Sequence, residues 1–305
     1  MCSQTLSDVD PGTCECHRVG AGGPFVDPKI DAPLPRGTTF DDAWEIELLV
    51  GSGATAHVYV ARHMYGFHAA LKVMHPSLAT SEARVRRFLR QGYVSNRVAH
   101  RAAVRVFGDG ETETGTFLVM EYVHGETLEA KLARQGQVPT EDVLAIARDL
   151  LAFLEAVHGA GLAHRRLNPT EVLLDRAKRL RVIDFDSANG VESFLQSPLS
   201  RAPLDSRSPT DSPPDDVATI HASAVGDLFA TGAILYRLLT GSAPFKASAS
   251  VPGPLDFSAD RTGASLLSAR SDLPVDLAFA VERALSPDPA RRFSSARAML
   301  DAMGV

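Results

Sequence analysis

Two short segments in the second half of this 305-residue chain hold the side chains best suited to chemistry. The first, residues 164–171, begins His-Arg-Arg and ends in Glu171, and the second contains Asp184 and Asp186. Carboxylate oxygens of this kind are the ligands that hard cations such as Mg²⁺ prefer. Arg166, by contrast, carries only donors and stays protonated near neutral pH, so it cannot act as a base. The pattern predicts an acidic, cation-attracting site without a proton acceptor at residue 166.

The elements that must position these residues begin with a glycine turn in the first half of the chain. Alternating apolar residues on both sides of residues 51–53 predict strand, turn and strand. The segment 67–73 predicts a further strand, and it carries Lys72. A charged helix is expected over 81–98, followed by strands at 104–107 and 117–122.

Beyond these strands the apolar residues recur at helical spacing. Helices are expected over 127–134, 140–158, 225–239, 274–285 and 294–303. The segment 193–216 is crowded with Ser, Pro and Asp, a composition that predicts a mobile surface loop. Its three Ser-Pro sites could be phosphorylated by another protein, which would change docking, although a loop without a role is the simpler interpretation.

This ordered series of motifs resembles the protein kinases, most closely the bacterial serine/threonine kinases of the eukaryotic type. The resemblance covers residues 44–303 and implies an α+β, bilobal kinase-like fold. A small β-rich N-lobe with one main helix would precede a larger, mostly helical C-lobe. The expected division is a disordered or loosely ordered tail at 1–42, an N-lobe at 43–122 and a C-lobe at 123–305, with a degenerate activation loop at 187–222.

The resemblance also implies a nucleotide site. In the family, glycine amides approach the phosphates, a strand lysine contacts the α and β phosphates, apolar residues bracket adenine, and the linker between the lobes reads its edge. ATP and Mg²⁺ are therefore the implied cofactors, with Asp184 and Glu171 as metal ligands. The implied nucleotide-binding residues are Gly51, Gly53, Val58, Ala70, Lys72, Met120, Glu121, Val123, Leu173 and Asp184.

Several positions depart from the family's pattern, among them Asp186, which stands where the family has the glycine after Asp-Phe. Arg166 stands where the family has the aspartate that accepts the substrate proton, and Glu171 where it has a metal-binding asparagine. Gln91 stands where a helix glutamate pairs with the strand lysine. The scaffold positions are kept, and together with Gln91 they make up the structural residues that the resemblance implies: Gln91, His164, Phe185, Asp227 and Arg292.

This split favours a pseudokinase with no catalytic residue, a kinase-shaped module that binds ATP and regulates or scaffolds phospho-signalling. Whether the chain is an enzyme stays open. The alternative is a divergent active serine/threonine kinase, or a nucleotidyl transferase that uses the same fold. The expected partner is an active kinase or another protein client.

Composition narrows the possible partners and cellular locations of the protein. The net charge of −6 gives no basic footprint, so a nucleic-acid partner is not expected. No apolar run of about 18 residues predicts a membrane span, and no basic-then-apolar leader is present, so we expect a cytoplasmic protein. Cys2, Cys14 and Cys16, with His17, favour reduced thiols on the tail over a zinc site.

Overall fold

The computed structural model of the chain describes residues 31–112, 115–165, 167–183, 224–245 and 266–304. Its first part is built on a six-stranded antiparallel sheet with the strand order β1-β2-β3-β4-β6-β5. The strands are β1 (Thr39–Phe40), β2 (Trp44–Ser52), β3 (Ala56–His63), β4 (His68–Met74), β5 (Val106–Thr112) and β6 (Gly115–Met120).

Two helices, α1 (Pro76–Ala79) and α2 (Glu82–Val94), connect β4 to β5. Phe88 and Val94 are the buried positions of α2, and Phe88 packs into a cluster with Leu118 of β6. The C-terminal end of α2 is fixed to β5 by polar contacts. Tyr93 donates its hydroxyl to Asp109 at 2.5 Å, and the side chain of Asn96 exchanges two hydrogen bonds with the backbone of Val106.

The segment that precedes β2 is part of this sheet. Phe40 is buried in β1 and meets Phe117 edge-on with ring centroids 5.0 Å apart. Leu34 N donates to the hydroxyl of Tyr59 at 2.9 Å. The expectation of a loosely ordered tail through residue 42 therefore differs from the structure for residues 31–42. Its physical reason is the burial of Phe40, which a composition dominated by Gly, Pro and Asp obscures.

The second part of the chain is mainly helical and also contains a small antiparallel sheet, β7-β8-β9. Its strands are β7 (Gly125–Thr127), β8 (Val172–Asp175) and β9 (Leu180–Val182). Its helices are α3 (Leu128–Gln135), α4 (Thr140–Gly159), α5 (Ala224–Thr240), α6 (Leu266–Ala269), α7 (Val275–Ala284) and α8 (Ala296–Asp301), with a short 3₁₀ turn at Pro289–Arg291.

The largest hydrophobic core of the described residues lies among α4, α5 and α7. In α4, Val143, Ala147, Leu150 and Leu154 recur at the three- and four-residue spacing of one helix face, and all are fully buried. Strand β9 connects this part to the first one. Val182 N donates to Ala102 O at 2.7 Å, and Val182 O accepts from Val104 N at 3.1 Å.

The sheet with α2 and the helical remainder confirm the α+β architecture. One strand differs clearly in its bounds, because β5 runs from Val106 to Thr112 and not over 104–107. Gly108 and Gly110 lie inside β5, and glycine weakens the sequence signal of a strand. Among the helices that the structure describes, none is long and apolar enough to cross a membrane.

Candidate active site

Residues expected to bracket adenine form an apolar cluster where the six-stranded sheet meets the second part of the chain, and the expected ligand space beside this cluster is called the pocket below. Ala70 of β4 lies opposite Met120 of β6, and both are mostly buried. Val58 and Val123 pack against the same hydrophobic cluster. Ile183, which directly precedes Asp184, packs there too. Four of the residues expected to hold adenine are therefore together, beside the expected metal-binding segment.

Leu173 supplies an apolar side chain from the opposite part of the molecule. It is half-buried in β8, between Val172 and Leu174, whose side chains face the helical core. Because side chains alternate along a strand, Leu173 points away from that core. This direction fits a floor for the pocket under the sheet.

The linker that follows β6 presents backbone polar groups to the pocket. Glu121 N donates to Arg105 O at 2.9 Å, so that amide is engaged within the protein. The N–H and C=O groups of Val123, by contrast, make no hydrogen bond to any described residue. A half-buried donor and acceptor side by side fit the edge of a purine ring.

The side chain of Glu121 has a structural role that the sequence did not suggest. Its carboxylate forms an ion pair with Arg181 of β9 and also accepts from Arg105 N at 3.5 Å. Arg181 is largely buried, with 15 % of its side chain exposed. The pair ties the linker to the small sheet, directly next to the pocket.

The glycine turn between β2 and β3 is open to a ligand. A Cβ added at Gly51 or Gly53 would meet its nearest protein atom at 3.8 Å, an ordinary contact, so packing within the turn does not require glycine there. Gly53 N donates to Ala56 O at 3.0 Å and closes the turn. The N–H groups of Ala54 and Thr55 make no hydrogen bond to a described residue. These two amides, and not that of Gly53, are the candidates for phosphate contact.

Lys72 lies on the face of β4 that meets α2. It is half-buried and stands opposite Val58 on one side and Leu118 on the other. Opposite residues of antiparallel strands share a face, and Leu118 packs with Phe88 of α2 on that face. Gln91 is a half-buried residue of the same helix. The structure therefore places Lys72 on the side of the sheet that carries the pocket.

Asp227 supports the backbone of the segment 164–171, which carries several of the expected site residues. Its side chain is 1 % exposed and accepts from Arg165 N and His164 N, both at 2.8 Å. His158 Nε2 donates to it at 2.9 Å. Arg165 has a φ of +69°, which is strained for a residue with a side chain. The two backbone bonds to Asp227 hold that conformation in place.

His164 and Glu171 attach the same segment to β9. His164 is fully buried and its Nε2 donates to Ile183 O at 3.0 Å. Ile183 N donates to Glu171 O at 2.9 Å, and a side-chain oxygen of Glu171 accepts from Asn168 Nδ2 at 3.4 Å. Arg292 is buried and donates to the carbonyls of Ser286 and Pro287, while its guanidinium lies 4.6 Å from the ring of Phe229.

Several of the expected residues lie outside the described part of the chain. They are Arg166, Asp184, Phe185, Asp186, the activation loop at 187–222 with its Ser-Pro sites, and the cysteine-containing tail. The described residues contain no cluster of three or more His, Cys, Asp or Glu side chains that could hold a metal ion. Glu171 is the one expected metal ligand among them.

The described residues fit a nucleotide. The cluster offers apolar walls for a ring, the turn amides and the half-buried Lys72 could meet phosphates, and the backbone groups of Val123, which bond to no described residue, could meet the ring's edge. Residues Gly51, Gly53, Val58 and Ala70 would lie above the ring and phosphates, and Leu173 below. For Mg²⁺ the fit rests on the chemistry of the donors, since Glu171 and Asp184 are carboxylates.

The comparisons with known proteins agree with this architecture. The family model described as "Protein kinase domain" matches residues 44–302, and the chain belongs to this family. The chain is 31 % identical over 222 residues to serine/threonine-protein kinase pkn3 of Myxococcus xanthus, a match that covers 70 % of this chain and 41 % of that protein. For serine/threonine-protein kinase pkn2 of the same organism the identity is 30 % over 278 residues, covering 88 % and 33 %. The chain thus spans well under half the length of these relatives.

A solved structure shows the same fold. The PknI kinase domain of Mycobacterium tuberculosis, crystallised as a double mutant, aligns with a TM-score of 0.64 at 28 % identity. The alignment covers 89 % of this chain and 98 % of that one. The expected bilobal kinase fold is confirmed, with a curled sheet in the N-lobe and a helical C-lobe.

Some residues around the site were missed from the sequence. They are Arg181, His158 and His75, and each makes its contact with an element distant in sequence. The signal available in the sequence was a charged or polar residue placed among apolar residues that are expected to be buried. Arg181 alternates with the buried Leu180 and Val182, and His158 follows Val157 at the end of α4. Their partners could not be named without the fold.

Proposed function

We propose that this chain is an ATP-binding domain of the bacterial serine/threonine kinase type that transfers a phosphoryl group slowly. The observation that supports binding is the clustering of Val58, Ala70, Met120 and Val123, with the N–H and C=O of Val123 bonded to no residue that the structure describes. ATP with Mg²⁺ would supply the phosphoryl group. The residues of the chain bind the ring, orient the phosphates and hold the catalytic segment.

The comparisons favour transfer over a purely regulatory role. The two Myxococcus xanthus relatives are named serine/threonine-protein kinases. The divergent active kinase, which the sequence offered as the alternative, fits these relatives better than the pseudokinase that the sequence favoured. The strut formed by Asp227 and the strained Arg165 also supports transfer, because it holds the backbone of a catalytic segment in a demanding conformation.

Arg166 is the reason to expect a slow reaction. In the family, the residue at this position accepts the proton of the substrate hydroxyl, and general-base help contributes roughly 10²–10⁴ in rate. An arginine cannot supply that help. Phosphoryl transfer depends largely on positioning and charge stabilisation, so the remaining site still accelerates it. Glu171 and Gln91 are further departures that lower the rate.

A regulatory or scaffolding module without transfer is the second candidate. It is favoured by the same three residues, Arg166, Glu171 and Gln91, which occupy the chemical positions of the family while the scaffold is kept. A client such as an active kinase would then be the partner. The two candidates share nucleotide binding and differ in whether any label reaches a protein hydroxyl.

Binding is tested by thermal unfolding of the full chain with ATP, with and without Mg²⁺. A ligand at about 100 times its Kd adds about 2.7 kcal/mol to the free energy of unfolding, which is a readily measured shift. We expect Lys72→Ala to reduce the shift, whereas Lys178→Ala, at an exposed lysine far from the pocket, leaves it unchanged. A melting temperature indifferent to ATP would overturn the proposal for both candidates.

A further inference from the structure

Two buried histidines lie behind the glycine turn. His57 belongs to β3 and His75 directly follows β4, and they are 8 % and 1 % exposed. Their rings meet edge to face, with centroids 4.4 Å apart. The two imidazole rings are polar, so the hydrophobic core does not explain their burial. Nucleotide binding does not explain it either.

The hydrogen bonds of the two rings define their protonation. His57 Nε2 lies 2.8 Å from Asp31 O, and His75 Nε2 lies 2.7 Å from Gly53 O. A carbonyl oxygen only accepts, so each Nε2 must carry the proton. Both Nδ1 atoms are buried and have no partner among the described residues. Burial lowers the pKa of His57, which favours the neutral form of that ring.

His75 donates hydrogen bonds to two carbonyl groups of the turn. Its side chain donates to Gly53 O, and its backbone N–H donates to Thr55 O at 2.9 Å. In a trans peptide the C=O of one residue and the N–H of the next point in opposite directions. The N–H of Ala54, one of the two candidates for phosphate contact, therefore points away from His75, and Ala54 is exposed. Among the described residues, no other side chain bonds to the backbone of residues 52–56.

Asp31, whose carbonyl accepts from His57, is itself fixed to α1. Its carboxylate accepts from Ser77 N at 3.0 Å and from Ser77 Oγ at 2.7 Å, at the start of α1. Asp31 is 4 % exposed. This attachment fixes the carbonyl of Asp31 where His57 meets it. A continuous path of contacts thus leads from the N-terminal segment through both rings to the glycine turn.

We propose that His75 is a positioning residue that sets the peptide planes of the phosphate-binding turn, and that His57 and Asp31 hold it in place. The ligand groups concerned are the phosphates of a nucleotide. The inference rests on the proposed ATP binding and deepens it, because it assigns the orientation of the turn amides to a specific side chain. The N-terminal segment thereby contributes to phosphate affinity without touching the nucleotide.

The test compares ATP with adenosine, which shares the ring but lacks phosphates. In His75→Leu we expect the Kd of ATP to rise about fivefold to tenfold, the equivalent of one hydrogen bond, while the Kd of adenosine stays the same. His75→Gln restores an amide donor and should recover most of the ATP affinity. His68→Leu, at an exposed histidine at the opposite end of β4, serves as the control for both ligands. A purely structural role would weaken ATP and adenosine equally, and that result would overturn the inference.

A second variant and a second readout keep the two proposals separable. Asp31→Ala removes the outer attachment without changing the buried rings, and we expect the same selective loss of ATP affinity, to a smaller extent. Hydrogen exchange of the Gly53 amide needs no nucleotide. Its protection should fall in His75→Leu and Asp31→Ala and stay the same in His68→Leu. If wild type binds no ATP, the proposed function fails and exchange alone decides this inference, which unchanged protection would overturn.

Discussion

At the scale of single residues, a buried carboxylate determines the backbone conformation at residues 164 and 165. Asp227 accepts three hydrogen bonds, two from backbone amides of residues 164 and 165 and one from His158. The cost of burying this carboxylate is offset because its oxygens face donors and not apolar groups. The positive φ of Arg165 persists because these bonds determine it.

Removing this carboxylate should be strongly destabilising. Asp227→Ala leaves three donors without their acceptor in a site that is 1 % exposed, so we expect a loss of about 3 kcal/mol in the free energy of unfolding. Urea denaturation measures it. Asp276→Ala, at an exposed position of α7, should stay within about 0.5 kcal/mol of wild type. Equal effects of the two substitutions would show that Asp227 is not a strut.

The residues of the expected nucleotide site were easier to predict from the sequence than the contacts around them. The glycine turn, Lys72 and the linker at Met120 have local patterns, because strand alternation and turn composition are readable over a few residues. The ion pair of Glu121 with Arg181 has no such pattern, since its partners are 60 residues apart. The roles assigned to Arg166 and Asp184 stay predictions, as they lie outside the described residues.

At the scale of elements, α5 and α7 pack closely because of one glycine. A Cβ added at Gly232 would lie 2.9 Å from the Cβ of Ala284 and 3.3 Å from Leu285. Atoms this close must move apart, and the neighbours are parts of a buried helix. Gly232 therefore sets the distance between two helices of the main core.

Substitution of this glycine should separate the helices. We expect Gly232→Ala to cost about 1–3 kcal/mol, since overpacking outweighs the gain in helix propensity. Gly159→Ala is the matched control, because Gly159 ends α4 with nothing within 4 Å of an added Cβ. That change should be neutral or slightly stabilising. Thermal unfolding distinguishes the pair, and a neutral Gly232→Ala would contradict the close approach.

Helices with a long apolar repeat were predictable from the sequence, whereas very short strands were not. The helix expected over 140–158 is α4, Thr140–Gly159, because 20 residues repeat one buried face. Strands β7 and β9 have three residues each, too few for alternation to show. They form only because β8 lies between them, which is a tertiary effect.

At the scale of the whole molecule, stability should depend on pH through buried histidines. Burial lowers the pKa of His57 and of His100 from the ordinary 6.5. The unfolded chain then binds more protons than the folded one below about that pH, so acidification favours unfolding. The stabilisation is fully present above pH 6.5 and is lost as the pH falls through the folded pKa values.

The free energy of unfolding should therefore fall between pH 7.5 and 5.5, as measured by urea titrations at each pH. His57→Gln should make this dependence shallower without abolishing it, because His100 contributes with the same sign. Around His57 the charged or titratable groups are Asp31, His75 and Tyr59, from three different segments. A protein that gains stability on acidification in this range would refute the assignment.

One replacement decides the proposed slow transfer: Arg166, a permanent cation, stands where the family has a proton acceptor. Its most direct measurement is the single-turnover transfer of labelled phosphate from ATP to a protein hydroxyl, in wild type and in Arg166→Asp. We expect a wild-type rate far below the ~1–100 s⁻¹ of kinases and a gain of roughly 10²–10⁴ in the variant. Arg176→Asp, with the same charge change at an exposed position, should match wild type. A wild-type rate already typical of kinases, or no gain in Arg166→Asp, would contradict the account.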